Sequence, residues 1–127
     1  MKRLSFPAIL LAASLGFGAP AAAQESPTTV EGATTVDAAA AKALFDKGVA
    51  FVDVRTNELF KTSRIPGATH LELFTAFKQV RLAKLVAKDK PVVIYCAGPG
   101  CKRSSKACVK AVKWGCKTVY YFRGGLP

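Results

Sequence analysis

Two stretches of the chain, VAFVDV (49 to 54) and PVVIYC (91 to 96), are almost unbroken apolar runs rich in β-branched residues. A half-wet strand would alternate polar and apolar positions, so runs of this kind predict strands covered on both faces. TVYYF (118 to 122) predicts a further strand, and a brief one is expected near His70 and Leu71. Between these runs the apolar spacing is helical. Asp37 is placed to cap a helix reaching about Lys47, with Gly48 ending it and Ala40, Ala41, Leu44 and Phe45 facing inward. Phe74, Phe77, Val80, Leu82 and Leu85 predict a second helix, with Arg81, Lys84 and Lys88 outside. Ser104 to Trp114 predicts a third, closed by Gly115 and with Trp114 turned inward. A short helical turn and then a Pro66-Gly67 turn precede the His70 strand.

Strands alternating with helices predict an α/β fold, in which right-handed crossovers build a parallel sheet flanked by helices on both faces. Ligands of such sheets sit beyond the carboxyl ends of the strands. Cys96 occupies that position on the most apolar strand, and it is followed by the loop AGPGCK and a basic helix.

The amino-terminal residues follow a different logic. Lys2 and Arg3 precede the apolar FPAILLAASLGFG and the small residues APAAAQ, which together predict a secretory signal peptide over 1 to 23, cut after Ala23. The apolar segment is too short for a spanning helix, so no membrane span is expected after cleavage; an uncleaved amino-terminal anchor is the alternative reading. The expected location is the periplasm, or the exterior where the source has no outer membrane. Residues 24 to 33 are small and polar and predict a flexible lead-in, leaving 34 to 127 as one domain.

Charge narrows the partners. Seventeen of the nineteen Lys and Arg and all eight acids lie after residue 23, and from Ala76 onward twelve bases face a single acid, Asp89. Such a field draws anions. Nucleic acid is not expected, because the aromatic interleaving of a single-strand binder is missing. Lys106, Lys110, Lys113 and Lys117 recur at helical spacing and predict a solvated face.

A free cysteine with a pKa of about 8.5 is mostly protonated at neutral pH, and the thiolate is the nucleophile. Two features after Cys96 favour the thiolate: the electropositive start of the following helix, and a loop whose amides can curl around an anion. Ala97, Gly98, Gly100, Cys101, Lys102, Arg103 and Ser104 form this candidate substrate-binding segment. Gly98 and Gly100 permit positive φ angles, Pro99 lacks a donor, and Arg103 suits a two-pronged grip on an oxyanion. Cys101 is a candidate resolving partner, able to meet a persulfide or sulfenate on Cys96 by closing a loop disulfide; an incidental role stays open. Cys108 and Cys116 read as packing residues. His70 is the sole histidine, and no Cys/His spacing suits zinc, so neither metal nor cofactor is expected.

The segments FVDVRT (51 to 56), RIPGATHL (64 to 71), VVIYC (92 to 96), RSSKA (103 to 107) and VYYFRGG (119 to 125) together resemble the single-domain, exported rhodanese-like sulfurtransferases. The resemblance implies a rhodanese-like fold with five parallel strands and an active loop after the fourth. It implies a Cys96 persulfide that takes sulfane sulfur from a small anionic donor such as thiosulfate and passes it to a thiol or cyanide-like acceptor. A periplasmic thiol protein is one such acceptor. Arg103 and the loop amides would hold the donor, while Asp53 and Arg55, in the family's Asp-x-Arg element, would frame the site. The chain departs from the family in its loop: six residues separate Cys96 from Arg103, a longer spacing than is usual, and the insertion carries Cys101. The spacing also exceeds that of a phosphatase phosphate loop, and no general acid for that chemistry is identifiable. Two further readings stand beside sulfur transfer: a thiol–disulfide redox module using Cys96 and Cys101, and a non-catalytic rhodanese-like binding module.

Overall fold

The computed structural model describes Gly16 and residues 25–127. The expected signal peptide, 1 to 23, thus lies outside the described residues except for Gly16. Five strands, β1 (Ala33–Thr35), β2 (Ala50–Asp53), β3 (Thr69–His70), β4 (Val92–Tyr95) and β5 (Val119–Phe122), form one parallel sheet in the order β1-β5-β4-β2-β3. The intervening helices are α1 (Ala38–Asp46), α2 (Asn57–Thr62), α3 (Gln79–Leu85) and α4 (Arg103–Lys113). Among the described residues no helix is long and apolar enough to cross a membrane.

Strand β4 lies between β5 and β2, so its side chains meet protein on both faces; Val92, Val93, Ile94 and Tyr95 are fully buried. At about 1.5–3 kcal/mol for each large apolar side chain buried, this strand anchors the fold. One face carries a core in which Val52, Val54, Val92, Ile94 and Tyr121 pack with Leu82 of α3 and Ala107, Cys108 and Ala111 of α4. The other face packs Phe51, Val93, Tyr95 and Phe122 against Ala41 of α1. Helices therefore cover both faces, and α1 starts as its sequence predicts: Asp37 Oδ1 accepts from the Ala40 N–H at 2.8 Å.

The second predicted helix is shorter than its spacing suggests. It begins at Gln79, and Phe74 and Val80, expected on its inner stripe, are 62% and 67% exposed. The cause is Glu72. Its carboxylate accepts from the backbone N–H groups of Phe74 and Thr75, which closes a local turn, and Lys78 is extended before α3 starts. Phe77 still reaches the core and stacks on half-buried Trp114 at 5.3 Å between ring centres.

The lead-in makes contacts with distant parts of the chain. Ser26 and Val30 are buried, the Tyr121 hydroxyl donates to the Pro27 carbonyl, and Arg123 donates to the Ser26 and Pro27 carbonyls. These donors, contributed by β5 and the residue after it, tie down a stretch whose own composition gives no sign of order.

Candidate active site

Cys96 is the first residue past β4 and is only 1% exposed. From there the chain turns outward through Ala97, Gly98, Pro99 and Gly100 and returns to α4. Gly98 has φ +147°, which favours glycine, and its carbonyl accepts from the Cys101 N–H at 3.0 Å. That turn folds Cys101 back over Cys96, and the two are joined in a disulfide with Cα atoms 6.4 Å apart. Cys101 is half-buried, while Pro99 and Gly100 are exposed at the loop tip. Ser26 reaches that tip, its N–H and hydroxyl both donating to the Pro99 carbonyl at 2.7 Å.

The expected inward curl of amides is thus modified. The Cys101 amide is used within the loop, and in this oxidised form Cys96 carries no free sulfur. What stays available is the amino-terminal turn of α4. Lys102 is its N-cap and makes no side-chain cap bond, although its carbonyl accepts from the Ser105 hydroxyl and the Lys106 N–H. Ser104, in the first turn, is buried, and its hydroxyl is the sole buried side-chain polar atom among the described residues with no hydrogen-bond partner. A helix start, whose first N–H groups have no acceptor within the helix itself, and the unpartnered Ser104 hydroxyl directly follow the cysteine loop and suit an anion.

Arg103 does not project freely over the loop as its sequence position suggests. Its Nη1 is paired with Glu72, and its guanidinium lies over the exposed Phe74 ring at 4.8 Å. The Thr75 hydroxyl, followed by Arg103, holds the Glu72 carboxyl below the ordinary glutamate range against the opposing effect of burial. Glu72 and Phe74 escape a reading of the sequence as site residues. One is an acid in an ordinary HLEL segment and the other looks like a core phenylalanine; only the return of the chain after β3 sets both against the start of α4.

Asp53 and Arg55 sit one strand away and are both buried. Arg55 Nε donates to both Asp53 oxygens at 3.1 and 3.0 Å, and Nη2 donates to Asp53 Oδ2 at 2.7 Å and the Ser63 carbonyl at 2.6 Å. Burial works to lower the Arg55 pKa, but the hydrogen bond and charge of Asp53 outweigh it and raise the value. Burial, then the neighbouring Asp53, pushes the Tyr95 hydroxyl upward; that hydroxyl accepts from the Ile65 N–H. The link to the loop runs through the carboxy-terminal turn. Arg55 Nη1 approaches the Leu126 carbonyl at 3.5 Å, and the Leu126 N–H donates to the Cys96 carbonyl at 2.9 Å. The buried pair thus supports the segment on which Cys96 rests.

The other two cysteines are free thiols that take no part in the loop disulfide. Cys108 is fully buried in α4, and Cys116 is half-buried against the same core. Burial raises both thiol pKa values, with Lys88 partly opposing it at Cys116. His70 Nε2–H donates to the Arg55 carbonyl at 2.8 Å and the ring stacks on Phe60 at 4.3 Å, which gives it a structural setting. Among the described residues no group of three or more His, Cys, Asp or Glu could hold a metal ion.

Comparison with known proteins places this geometry. A model of the rhodanese-like domain matches residues 37–127. The mitochondrial Arabidopsis thaliana protein HIGH ARSENIC CONTENT 1 is 31% identical over 111 residues, covering 80% of this chain and 64% of that protein. The chain thus spans just under two thirds of that relative's length. Thiosulfate sulfurtransferase GlpE of Pseudomonas syringae pv. syringae is 34% identical over 86 residues, 68% of this chain and 76% of GlpE. Among solved structures, the human single-domain sulfurtransferase TSTD1 superposes with a TM-score of 0.63 at 21% identity, covering 73% of this chain and 91% of that one.

Proposed function

Since the chain belongs to the rhodanese-like domain family, we propose that it is a periplasmic sulfurtransferase that carries sulfane sulfur as a persulfide on Cys96. The observation that carries this reading is the seat of Cys96: a buried cysteine just past the carboxyl end of the central strand, at the start of the loop that leads into α4. The GlpE relatives, named as thiosulfate sulfurtransferases, support the reaction type.

The oxidised loop must first be reduced. The Cys96 thiolate then attacks the outer sulfur of thiosulfate; the new S–S bond forms on Cys96 as the old one breaks, and sulfite leaves with the bonding pair. A thiolate or cyanide ion next attacks the outer sulfur of the persulfide, leaving as a persulfide or thiocyanate and returning the Cys96 thiolate. The amides at the start of α4 and the Ser104 hydroxyl stabilise the anionic terminal sulfur, and Arg103 meets the donor with the N–H groups that Glu72 does not occupy. The test is mass spectrometry of pre-reduced protein carrying Cys101→Ser, which cannot close the loop disulfide, after treatment with thiosulfate, together with thiocyanate formation on adding cyanide. We expect sulfur on Cys96 and thiocyanate release; neither product in reduced protein overturns the reading. The periplasmic assignment rests on the leader pattern and is tested by sequencing the amino terminus of the protein from the periplasmic fraction. A chain beginning at Met1 in the cytoplasm would sink it.

The observed Cys96–Cys101 bond favours a second reading, a thiol–disulfide module cycling between dithiol and disulfide. Peptide mapping of protein isolated without reductant tests it, and a pair that is never joined removes it.

A further inference from the structure

The two loop cysteines occupy different environments: Cys96 is enclosed, whereas Cys101 is half-buried and carried back over it by the Gly98 turn. Their sulfurs are directly bonded. If Cys96 carries a persulfide, an incoming thiolate has two sulfurs to choose from. Attack on the outer one moves the sulfur elsewhere. Attack on the inner one, Cys96 Sγ itself, joins the attacker to Cys96 and expels the terminal sulfur. The bond present in the structure is the one that inner attack produces.

Resting on the sulfurtransferase reading, we propose that Cys101 is a built-in acceptor that converts the Cys96 persulfide into hydrosulfide and the loop disulfide. The Cys101 thiolate attacks Cys96 Sγ, the bond between Cys96 Sγ and the terminal sulfur breaks, and HS⁻ departs with the bonding pair. The sulfane sulfur gains two electrons, and the two thiols lose them as they become a disulfide. The same N–H groups that hold a persulfide anion lie ready for the departing charge. The enclosed position of Cys96 restricts an external acceptor's approach to its outer sulfur, while Cys101 already lies within bonding reach of the inner one.

Regeneration follows from the same asymmetry. An external dithiol reductant attacks the more exposed Cys101 Sγ, and Cys96 leaves as the thiolate into the loop. The second thiol of the reductant then resolves the mixed disulfide, which returns Cys101 and oxidises the reductant. The protein would thus couple a sulfane donor to a dithiol reductant, with sulfide as a product and without a separate sulfur acceptor. Proximity makes the internal step effectively unimolecular.

A single turnover tests this. The reduced full chain, freed of reductant under nitrogen, is mixed with thiosulfate alone, and sulfide, sulfite and protein mass are followed. Wild type is expected to release one sulfide and one sulfite per chain and to end with Cys96 joined to Cys101. Cys101→Ser is expected to retain the added sulfur on Cys96 and to release no sulfide. A wild-type persulfide that persists beside a free Cys101 thiol, or that moves to Cys101 without sulfide release, overturns this inference and leaves the sulfurtransferase reading intact. Sulfur uptake by neither protein, with no sulfite, overturns both.

Discussion

Gly125 lies against Cys96 so closely that a Cβ built on it would stand 2.2 Å from the Cys96 carbonyl oxygen. Its φ of +56° also favours glycine, and the next residue, Leu126, donates to that same carbonyl. The carboxy-terminal turn is therefore a backbone-to-backbone support for the cysteine loop. Gly125→Ala is expected to lose about 2–4 kcal/mol, since neither backbone can give way cheaply. Urea unfolding checks the magnitude. Sulfur uptake from thiosulfate should fall in the folded fraction as well, because Cys96 is displaced.

Asp53 and Arg55 form a buried pair whose members cannot be removed separately without cost. Asp53→Ala leaves the Arg55 guanidinium buried with only carbonyl partners and should destabilise the fold by about 3–5 kcal/mol. A joint replacement of both by apolar residues is expected to lose less than Asp53→Ala alone. Comparing the three denaturation curves decides it; equal losses would mean that the uncompensated charge is not the cause.

Glu72 titrates from a lowered folded pKa, so its stabilising contribution is fully present above the unfolded glutamate value of about 4.3 and is lost as pH falls through the folded one. Since both side chains keep some contact with solvent, Glu72→Gln should cost no more than about 1 kcal/mol at pH 7. The wild-type advantage should shrink below pH about 4. The substitution also frees Arg103, and a lower KM for thiosulfate is expected in the reduced protein. Unfolding midpoints at several pH values and steady-state kinetics read the two effects separately.

The free thiols should differ in reactivity. In the oxidised protein at pH 8, iodoacetamide is expected to label Cys116 slowly and Cys108 only after unfolding, because Cys108 is fully buried and its thiol pKa is raised. Peptide mapping against time measures this. Rapid labelling of Cys108 in the native protein would contradict the packing described for α4.

The main elements of the sheet were legible because they depend on local pattern. The runs around Phe51 and Ile94 can be buried only between two layers, and Asp37, Gly48 and Gly115 mark helix ends through backbone chemistry that is local to them. The seat of Cys96 follows from the same pattern, since a cysteine ending the most apolar strand of a parallel sheet must lie at its mouth. Phe74 and Val80 misled because helical spacing cannot register a side chain such as Glu72 that captures the preceding N–H groups.

By itself, then, the amino-acid sequence determined the α/β order of elements, the buried strands and the place of the cysteine loop, all through interactions spanning a few residues. Tertiary structure alone decided that Glu72 holds Arg103, that Ser26 ties onto Pro99, that Arg55 braces the Leu126 turn and that Gly125 supports Cys96. Those pairs are separated by between 31 and 73 residues in the cases of Arg103 with Glu72, Arg55 with Leu126 and Ser26 with Pro99. Such contacts arise only when the crossovers bring distant segments to one end of the sheet, and no local periodicity encodes them.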